Sequence, residues 1–393
     1  MIRLVAGLGV AQVISWGSLY YAIGVLGPSM RAELGVTELF LFGSFTAGLL
    51  VCGALAPWIG RLIDRKGGRV VLSAGSIAAS AAMIILATST SRFALVAGWM
   101  MAGAAMTATL YDPAFATLSQ HAGDRYRRCV TALTLLGGFA STAFWPLSHV
   151  LLDAWGWRAA FAIYAAMHLL VCLPIHAWMI PRSSGKQSHG ISTDAPARSP
   201  AFGTPGLMWL NGAFAIANFV VGVVAVYMVV LLQGAGLDAA QAVTIAMLMG
   251  PMQVAGRLLE IGFLAKKRAT RVGGVAFASI IGALVVLAGA SGMWLAVIFV
   301  AMYGCGNGLL TIVRGAVPAE IYGSRGLGEL LGHLSRTSSY ARALAPAGYA
   351  GMLAIGLTQP LAMLGLAVAL SGGLACYSVA IRSVAARDRP STS

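Results

Sequence analysis

Three arginines and one aspartate stand where charge is most costly. Arg314, Arg336, Arg342 and Asp112 fall inside long apolar runs of a 393-residue chain that is 59% hydrophobic and only 10% charged. An ionised side chain far from water needs a counter-charge or a hydrogen-bonding partner. Arg342, in Ser335-Arg336-Thr337-Ser338-Ser339-Tyr340-Ala341-Arg342, lies near the middle of the apolar stretch 328–355, too deep for easy snorkelling to either surface. A guanidinium fork suits bidentate capture of a carboxylate or phosphate, so a bound substrate anion is one source of the missing charge. An interhelical structural pair and a misplaced span are the competing readings. Arg336 and Tyr340 are four residues apart and share a helix face, whereas Arg342 is six residues from Arg336 and points elsewhere, so one ligand need not touch both arginines.

Asp112, in Tyr111-Asp112-Pro113, lies about 19 residues into the fourth apolar run, and Arg314 about 21 residues into the tenth. Pro113 removes a helical N–H and frees a carbonyl, which makes a bending point beside Asp112. Polar and aromatic residues that could complete a pocket are Gln12, Ser15, Trp16, Tyr20 and Tyr21 in the first run, Asn211, Asn218 and Tyr227 in the seventh, and Tyr303 and Asn307 in the tenth. For each, interhelical hydrogen bonding or an interfacial belt position is the plainer alternative. His149 and His168 could titrate in a proton-coupled cycle, or serve as hydrogen-bonded packing residues. The five cysteines lie singly in apolar stretches without metal-ligand spacing, and read as packing residues with no metal bound.

The elements that must position these residues are membrane helices. A mean hydropathy of +0.83 over the whole length excludes a soluble globular enzyme. Splitting the apolar runs at turn and charge signals gives twelve spans, at 4–27, 40–62, 70–88, 93–118, 130–152, 158–180, 206–232, 240–262, 272–291, 293–316, 328–355 and 359–382. Each is long enough to cross a ~30 Å hydrocarbon layer as a helix. With the N-terminus inside, twenty of the 26 basic residues fall in cytoplasmic segments and three (Arg31, Arg92, Arg158) outside, which predicts both termini in the cytoplasm. The net charge of +14 is thus a topology signal and implies no nucleic acid. The hydrophilic stretch 181–205 reads as a cytoplasmic linker between residues 1–180 and residues 206–393, six spans on each side.

The halves resemble each other. Gly60-Arg61-Leu62-Ile63-Asp64 matches Gly256-Arg257-Leu258-Leu259-Glu260 at an offset of 196, and Trp145-Pro146 aligns with Ala345-Pro346 at 200. Asp112 and Arg314, offset by 202, then occupy nearly equivalent places, and duplication is expected. Twelve spans in two sixes, a central loop and the turn Gly60-Arg61-Leu62-Ile63-Asp64-Arg65-Lys66-Gly67-Gly68-Arg69 resemble the major facilitator superfamily. The family pattern is G-x-x-x-D-(R/K)-x-G-(R/K)-(R/K); Gly68 departs from it, replacing the first of the last basic pair.

That resemblance implies an all-α fold of two pseudo-symmetric six-helix bundles, rocking around a midplane site to give alternating access. It implies that Asp64, Arg65 and Arg69 lock the cytoplasmic side in the outward-open state, against the simpler reading of Arg65, Lys66 and Arg69 as positive-inside anchors. It also places Asp112 and Arg314 on opposite sides of a central cavity, where they are expected to pair when the inner side closes; pairing of Asp112 with Arg65, Arg69 or Arg128 is the alternative. A monomer in a bacterial inner membrane is expected. Gly304-Cys305-Gly306-Asn307-Gly308 follows no strand and reads as close helix packing rather than a nucleotide loop. No catalytic motif or cofactor fingerprint is evident, so no enzyme is expected.

The leading functional expectation is a secondary transporter for a small organic anion, a carboxylate among the candidates, coupled to protons or to exchange against a counter-anion. Three intramembrane arginines against one acid support it, and the general look is similar to bacterial monocarboxylate and oxalate/formate branches. The alternative is a proton-coupled exporter of drugs or other toxic compounds, although no Gly stands directly before Pro146 in the fifth span. A transport-derived sensor, or a membrane enzyme with a hydrophobic substrate, is the third reading.

Overall fold

The computed structural model describes residues 1–182, 206–264, 266–289 and 291–387. Apart from Pro181 and Arg182, the expected linker lies outside the described residues. Two compact units divide the chain, one drawn from Met1–Ser199 and Ser324–Arg336, the other from Pro200–Gly323 and Thr337–Ser393. The described residues form helices and no strands. Nine helical stretches among them are long and apolar enough to cross a membrane, one of which is the composite run Arg92–Met179.

The first unit begins with α1 (Ile2–Ser15), a wide π-type turn (Trp16–Tyr21) and α2 (Ala22–Leu34). The first run therefore extends past Pro28, where the sequence reading ended it, and stops at Gly35, whose φ of 60° is a left-handed cap. It continues with α3 (Glu38–Lys66), α4 (Gly68–Ala87), α5 (Arg92–Thr109), α6 (Tyr111–Ala122), α7 (Tyr126–Gly137) and α8 (Ala140–Met167). Thr37 and Ser91 start α3 and α5 by accepting hydrogen bonds from the amides of Phe40 and Ala94, both at 3.2 Å. Where α3 and α5 cross, Gly48 and Gly103 let the two backbones touch, the small-residue contact that replaces hydrophobic drive between helices in lipid. The core of this unit is aromatic, with Trp99, Phe161 and Tyr164 fully buried.

The fourth apolar run is not one helix. It breaks at Leu110, whose backbone is extended (φ −78°, ψ −161°), three residues before Pro113. Proline cannot donate to the carbonyl four residues earlier, and its ring crowds that carbonyl. The carbonyl is that of Thr109, and it takes a side-chain hydrogen bond from Gln12 Nε2 at 2.7 Å. The bend expected at Pro113 is present, and Gln12 satisfies the group it frees.

The second unit contains α9 (Leu207–Gly234), α10 (Ala239–Ala246), α11 (Met249–Leu259), α12 (Ala269–Ala288), α13 (Met293–Tyr322), most of α14 (Leu327–Ala354) and α15 (Gln359–Arg387). Asp238 and Gln241 form a capping box at the start of α10. The glycines 304, 306 and 308 divide their work on α13. Gly304 and Gly308 lie against Met252 and Gln253 of α11, while Gly306 lies against Ile280 of α12. That is the close helix packing expected of this glycine run.

Candidate functional site

Arg342 is placed from the neighbouring helix. Its Nη2 donates to Asn218 Oδ1 at 2.6 Å, and Asn218 Nδ2 in turn donates to the carbonyl of Phe214 at 2.8 Å. The second bond fixes the amide so that its oxygen faces the guanidinium. Gly222, one turn further along α9, lacks the Cβ that would run into the Cβ of Ala345 and press on the Arg342 backbone, so α9 and α14 approach closely here. Tyr227 adds a hydrogen bond to the carbonyl of Pro346 at 3.3 Å and packs its ring 4.8 Å from Tyr349. The amide of Asn218 orients the guanidinium but brings no negative charge.

Other expected site residues are distributed differently. Arg336 belongs to the part of α14 that groups with the first unit, whereas Tyr340 and Arg342 belong to the second. Tyr303 is fully buried, with its ring 5.8 Å from Phe299, and Asn307 is half-buried on α13. Tyr20 and Tyr21 are half-buried in the wide turn after α1. Asp112 sits in the first turn of α6 and Arg314 on α13, in different units and both half-buried. His168 is buried and shares a 2.8 Å hydrogen bond with Ser18.

The turn between α3 and α4 is tied to the start of α14 within the first unit. Asp64 accepts hydrogen bonds from two successive backbone amides, Gly328 at 3.0 Å on Oδ1 and Glu329 at 2.8 Å on Oδ2. These amides lie in the first turn of α14, where N–H groups have no intrahelical acceptor and the helix dipole favours a negative charge. Gly60 and Gly328 touch backbone to backbone, and Gly332 sits against Ala56 and Pro57 one turn on. Any side chain at these positions would push the carboxylate out of reach. Arg61 Nη1 pairs with Glu329 Oε1 at 3.2 Å, and His333 Nε2 lies 3.8 Å from the same oxygen. Arg65 is exposed and Arg69 half-buried at the start of α4.

Three participants lay outside the sequence expectations. Gln120 braces the turn by donating to the carbonyl of Ile63 at 2.9 Å and accepting from the amide of Gly68 at 3.3 Å. Glu329 was legible only as an acid at the start of a span. Arg257, counted from sequence among the cytoplasmic loop cations, is inside α11 and 2% exposed. Its Nη2 is 3.5 Å from Gln253 Oε1, and its Nε and Nη1 have no hydrogen-bond partner among the described residues. The signal was its match to Arg61 in the repeated Gly-Arg-Leu sequence.

Comparison with known proteins bears on the fold and the family. The chain is 32% identical over 127 residues to monocarboxylate transporter 11 of Mus musculus, a match covering 32% of this chain and 28% of that protein's length. Its fold matches the crystal structure of the human organic anion transporter MFSD10 (TETRAN) with a TM-score of 0.74, at 14% identity, covering 95% of this chain and 99% of that one. Residues 8–346 match the family model of the Major Facilitator Superfamily. With its helical spans and the Asp64 turn, the chain is a multi-pass membrane protein that belongs to the Major Facilitator Superfamily.

Proposed function

We propose that this transporter carries a small organic anion, with carboxylates as the substrate class. The observation that carries the reading is Arg342, at mid-length of α14 and held in orientation by the neutral amide of Asn218 at 2.6 Å. An oriented guanidinium at mid-helix is prepared for bidentate capture of a carboxylate. The buried Arg257 is a second cation in the same unit. The names of the two relatives, one a monocarboxylate transporter and one an organic anion transporter, agree with this class.

In this reading the protein is a monomeric secondary carrier in a bacterial inner membrane, with both termini cytoplasmic and two six-helix halves, 1–180 and 206–393, alternating access around a linker at 181–205. Asp64 holds the start of α14 in the outward-open state, Arg65 and Arg69 supply the adjoining positive charge, and switching releases the two amides. Asp112 and Arg314 serve gating or coupling, to protons or to a counter-anion. Arg336, Tyr340, Tyr20, Tyr21, Asn218, Tyr303 and Asn307 complete the candidate substrate set, and the protein carries out no catalysis of its own.

The test is thermal unfolding of the purified protein in detergent across monocarboxylates, dicarboxylates, phosphorylated compounds, sugars and cationic drugs, with Arg342→Ala alongside. A ligand at ~100 times its dissociation constant adds about 2.7 kcal/mol to stability. The expected result is stabilisation of the wild type by a carboxylate and no response in the variant. Stabilisation only by cationic or neutral hydrophobic compounds, equal in both proteins, would make Arg342 structural and favour a drug exporter.

A further inference from the structure

The two Gly-Arg-Leu sequences leave different side chains uncovered. In the first unit Leu62 is half-buried and Ile63 buried, and the chain passes from α3 to α4 through Gly67 alone. In the second, the matching Leu258 and Leu259 are exposed, and the helix widens into the π-type turn Glu260–Leu264, where Ile261 is 48% and Phe263 78% exposed. Only residues 265–268 separate this turn from α12. Both flanking stretches, Ala239–Leu264 and Ala269–Ala288, are long and apolar enough to cross a membrane, so a link this short is held at the membrane surface.

Cations crowd the same link. Lys266, Lys267, Arg268 and Arg271 stand within six residues of sequence. Arg268 is taken by Glu320, whose Oε1 accepts from its Nε at 3.0 Å. Glu320 also accepts from the amide of Ala269 at 2.6 Å and the hydroxyl of Thr270 at 3.1 Å, which fixes the start of α12. Lys266 and Arg271 are exposed and pair with no acid among the described residues. Exposed apolar side chains beside unpaired cations have the chemistry of an interfacial segment, in which the apolar bodies enter the acyl boundary and the cations meet negative headgroups. Bulk water gives this cluster no counter-charge and Phe263 no cover; an anionic bilayer surface gives both.

We propose that the turn between α11 and α12 is a docking surface for anionic phospholipid, with Ile261 and Phe263 in the acyl boundary and Lys266 and Arg271 on the headgroup phosphates. The surface lies within the second unit and is independent of the compound carried. Each cation beside a charged leaflet contributes the equivalent of about 5-fold in affinity, so the two together give roughly 25-fold. Burial of Phe263 gives roughly 10-fold or more, for anionic and zwitterionic lipids alike.

The experiment is native mass spectrometry of the full-length protein, reading the dissociation constant of the first bound lipid for dioleoyl phosphatidylglycerol and for dioleoyl phosphatidylcholine. Wild type is expected to hold phosphatidylglycerol about 25-fold more tightly, an advantage that shrinks as ionic strength rises. Lys266→Gln/Arg271→Gln removes most of that advantage and leaves phosphatidylcholine binding unchanged. Phe263→Ser weakens both lipids by roughly 10-fold and keeps their ratio. Arg125→Gln/Arg128→Gln takes the same charge from exposed positions of the first unit and leaves both constants near wild type. All the substituted side chains are exposed, so none of these variants opens a defect in the core. Equal binding of the two lipids by wild type overturns the proposal. An equal loss in the Arg125/Arg128 control also overturns it, because net charge would then be the cause. Unchanged binding by Phe263→Ser overturns the insertion of the turn.

Discussion

Gly60-Arg61-Leu62-Ile63-Asp64 and Gly256-Arg257-Leu258-Leu259-Glu260 share one sequence pattern near the ends of α3 and α11, and their side chains meet different fates. In both, the glycine brings a helix into backbone contact with another, Gly60 with Gly328 and Gly256 with the Cys305 carbonyl. Beyond the glycine they diverge. Arg61 is 42% exposed and paired with Glu329, and Asp64 accepts two amides at the start of α14. Arg257 is 2% exposed, Glu260 is 3% exposed, and the helix opens into a wide turn at Glu260–Leu264. Repetition of sequence reproduces the backbone contact, but the helix that comes alongside decides whether the arginine is a surface ion pair or a buried cation. The two have different energetics, since an exposed pair contributes about 0–1 kcal/mol whereas burying a charge costs several.

The largest effect expected from this contrast is at Arg257. If binding the anion is what retains this buried charge, Arg257→Met should lower transport of the stabilising anion into proteoliposomes by roughly tenfold or more. Its unfolding midpoint in detergent should be unchanged or raised, because replacing a buried ionic group by an apolar one of similar volume is often neutral or stabilising. If the midpoint collapses together with transport, Arg257 is a structural residue and the two halves differ only in packing.

The halves also differ in their fourth helices. The first unit breaks at Leu110, whereas α13 in the second runs unbroken from Met293 to Tyr322. Gln12 compensates the break by its bond to Thr109 O. Gln12→Ala leaves that buried carbonyl without its partner, at about 1–3 kcal/mol. Pro113→Ala restores an amide four residues on, so the double variant should recover most of the loss. A double-mutant cycle on the unfolding midpoint reads the coupling directly, and strictly additive losses would mean that Gln12 stabilises the unit in some other way.

Much of this was legible from sequence for a physical reason. The all-helical, membrane-spanning character follows from apolar length, and the bend at Pro113 from a missing N–H, so both are local properties of the chain. Gly304, Gly306 and Gly308 announced close packing by their size alone, though not which of them met α11 and which α12. Partners were less legible. That Asn218 orients Arg342, that Gln12 reaches Thr109, and that Asp64 meets the amides of Gly328 and Glu329 all depend on residues about a hundred or more positions apart. Arg257 was misread for a related reason, because loop cations and buried cations near a helix end look alike until the neighbouring helices are in place.

Asp64 gives the third effect. Its bonds to two helix-terminal amides are charge-assisted, about twice as strong as neutral ones. Asp64→Asn keeps an acceptor but removes the charge, which should weaken the hold on α14 by about 1–2 kcal/mol. Hydrogen exchange at the amides of Gly328 and Glu329 should then accelerate by roughly 5- to 30-fold, with α9 to α13 unaffected. Unchanged exchange at these two amides would show that the glycine contacts alone hold the helix start.

The smallest effect is expected at Arg61, and it tests the comparison most sharply because it is the direct counterpart of Arg257. Its partner Glu329 is already engaged through its own backbone amide with Asp64, and His333 lies close to the same carboxylate oxygen. Losing Arg61 therefore does not strand a buried charge. A half-buried guanidinium whose side chain is 42% exposed gains little from its pair and is screened by salt, so Arg61→Ala should cost less than about 1 kcal/mol, and less still at high ionic strength. Transport should stay within about fivefold of wild type, as that energy permits. A loss as large as that of Arg257→Met would mean that both copies of the arginine are held for the same task, and that burial in one half and exposure in the other are two stages of a single cycle.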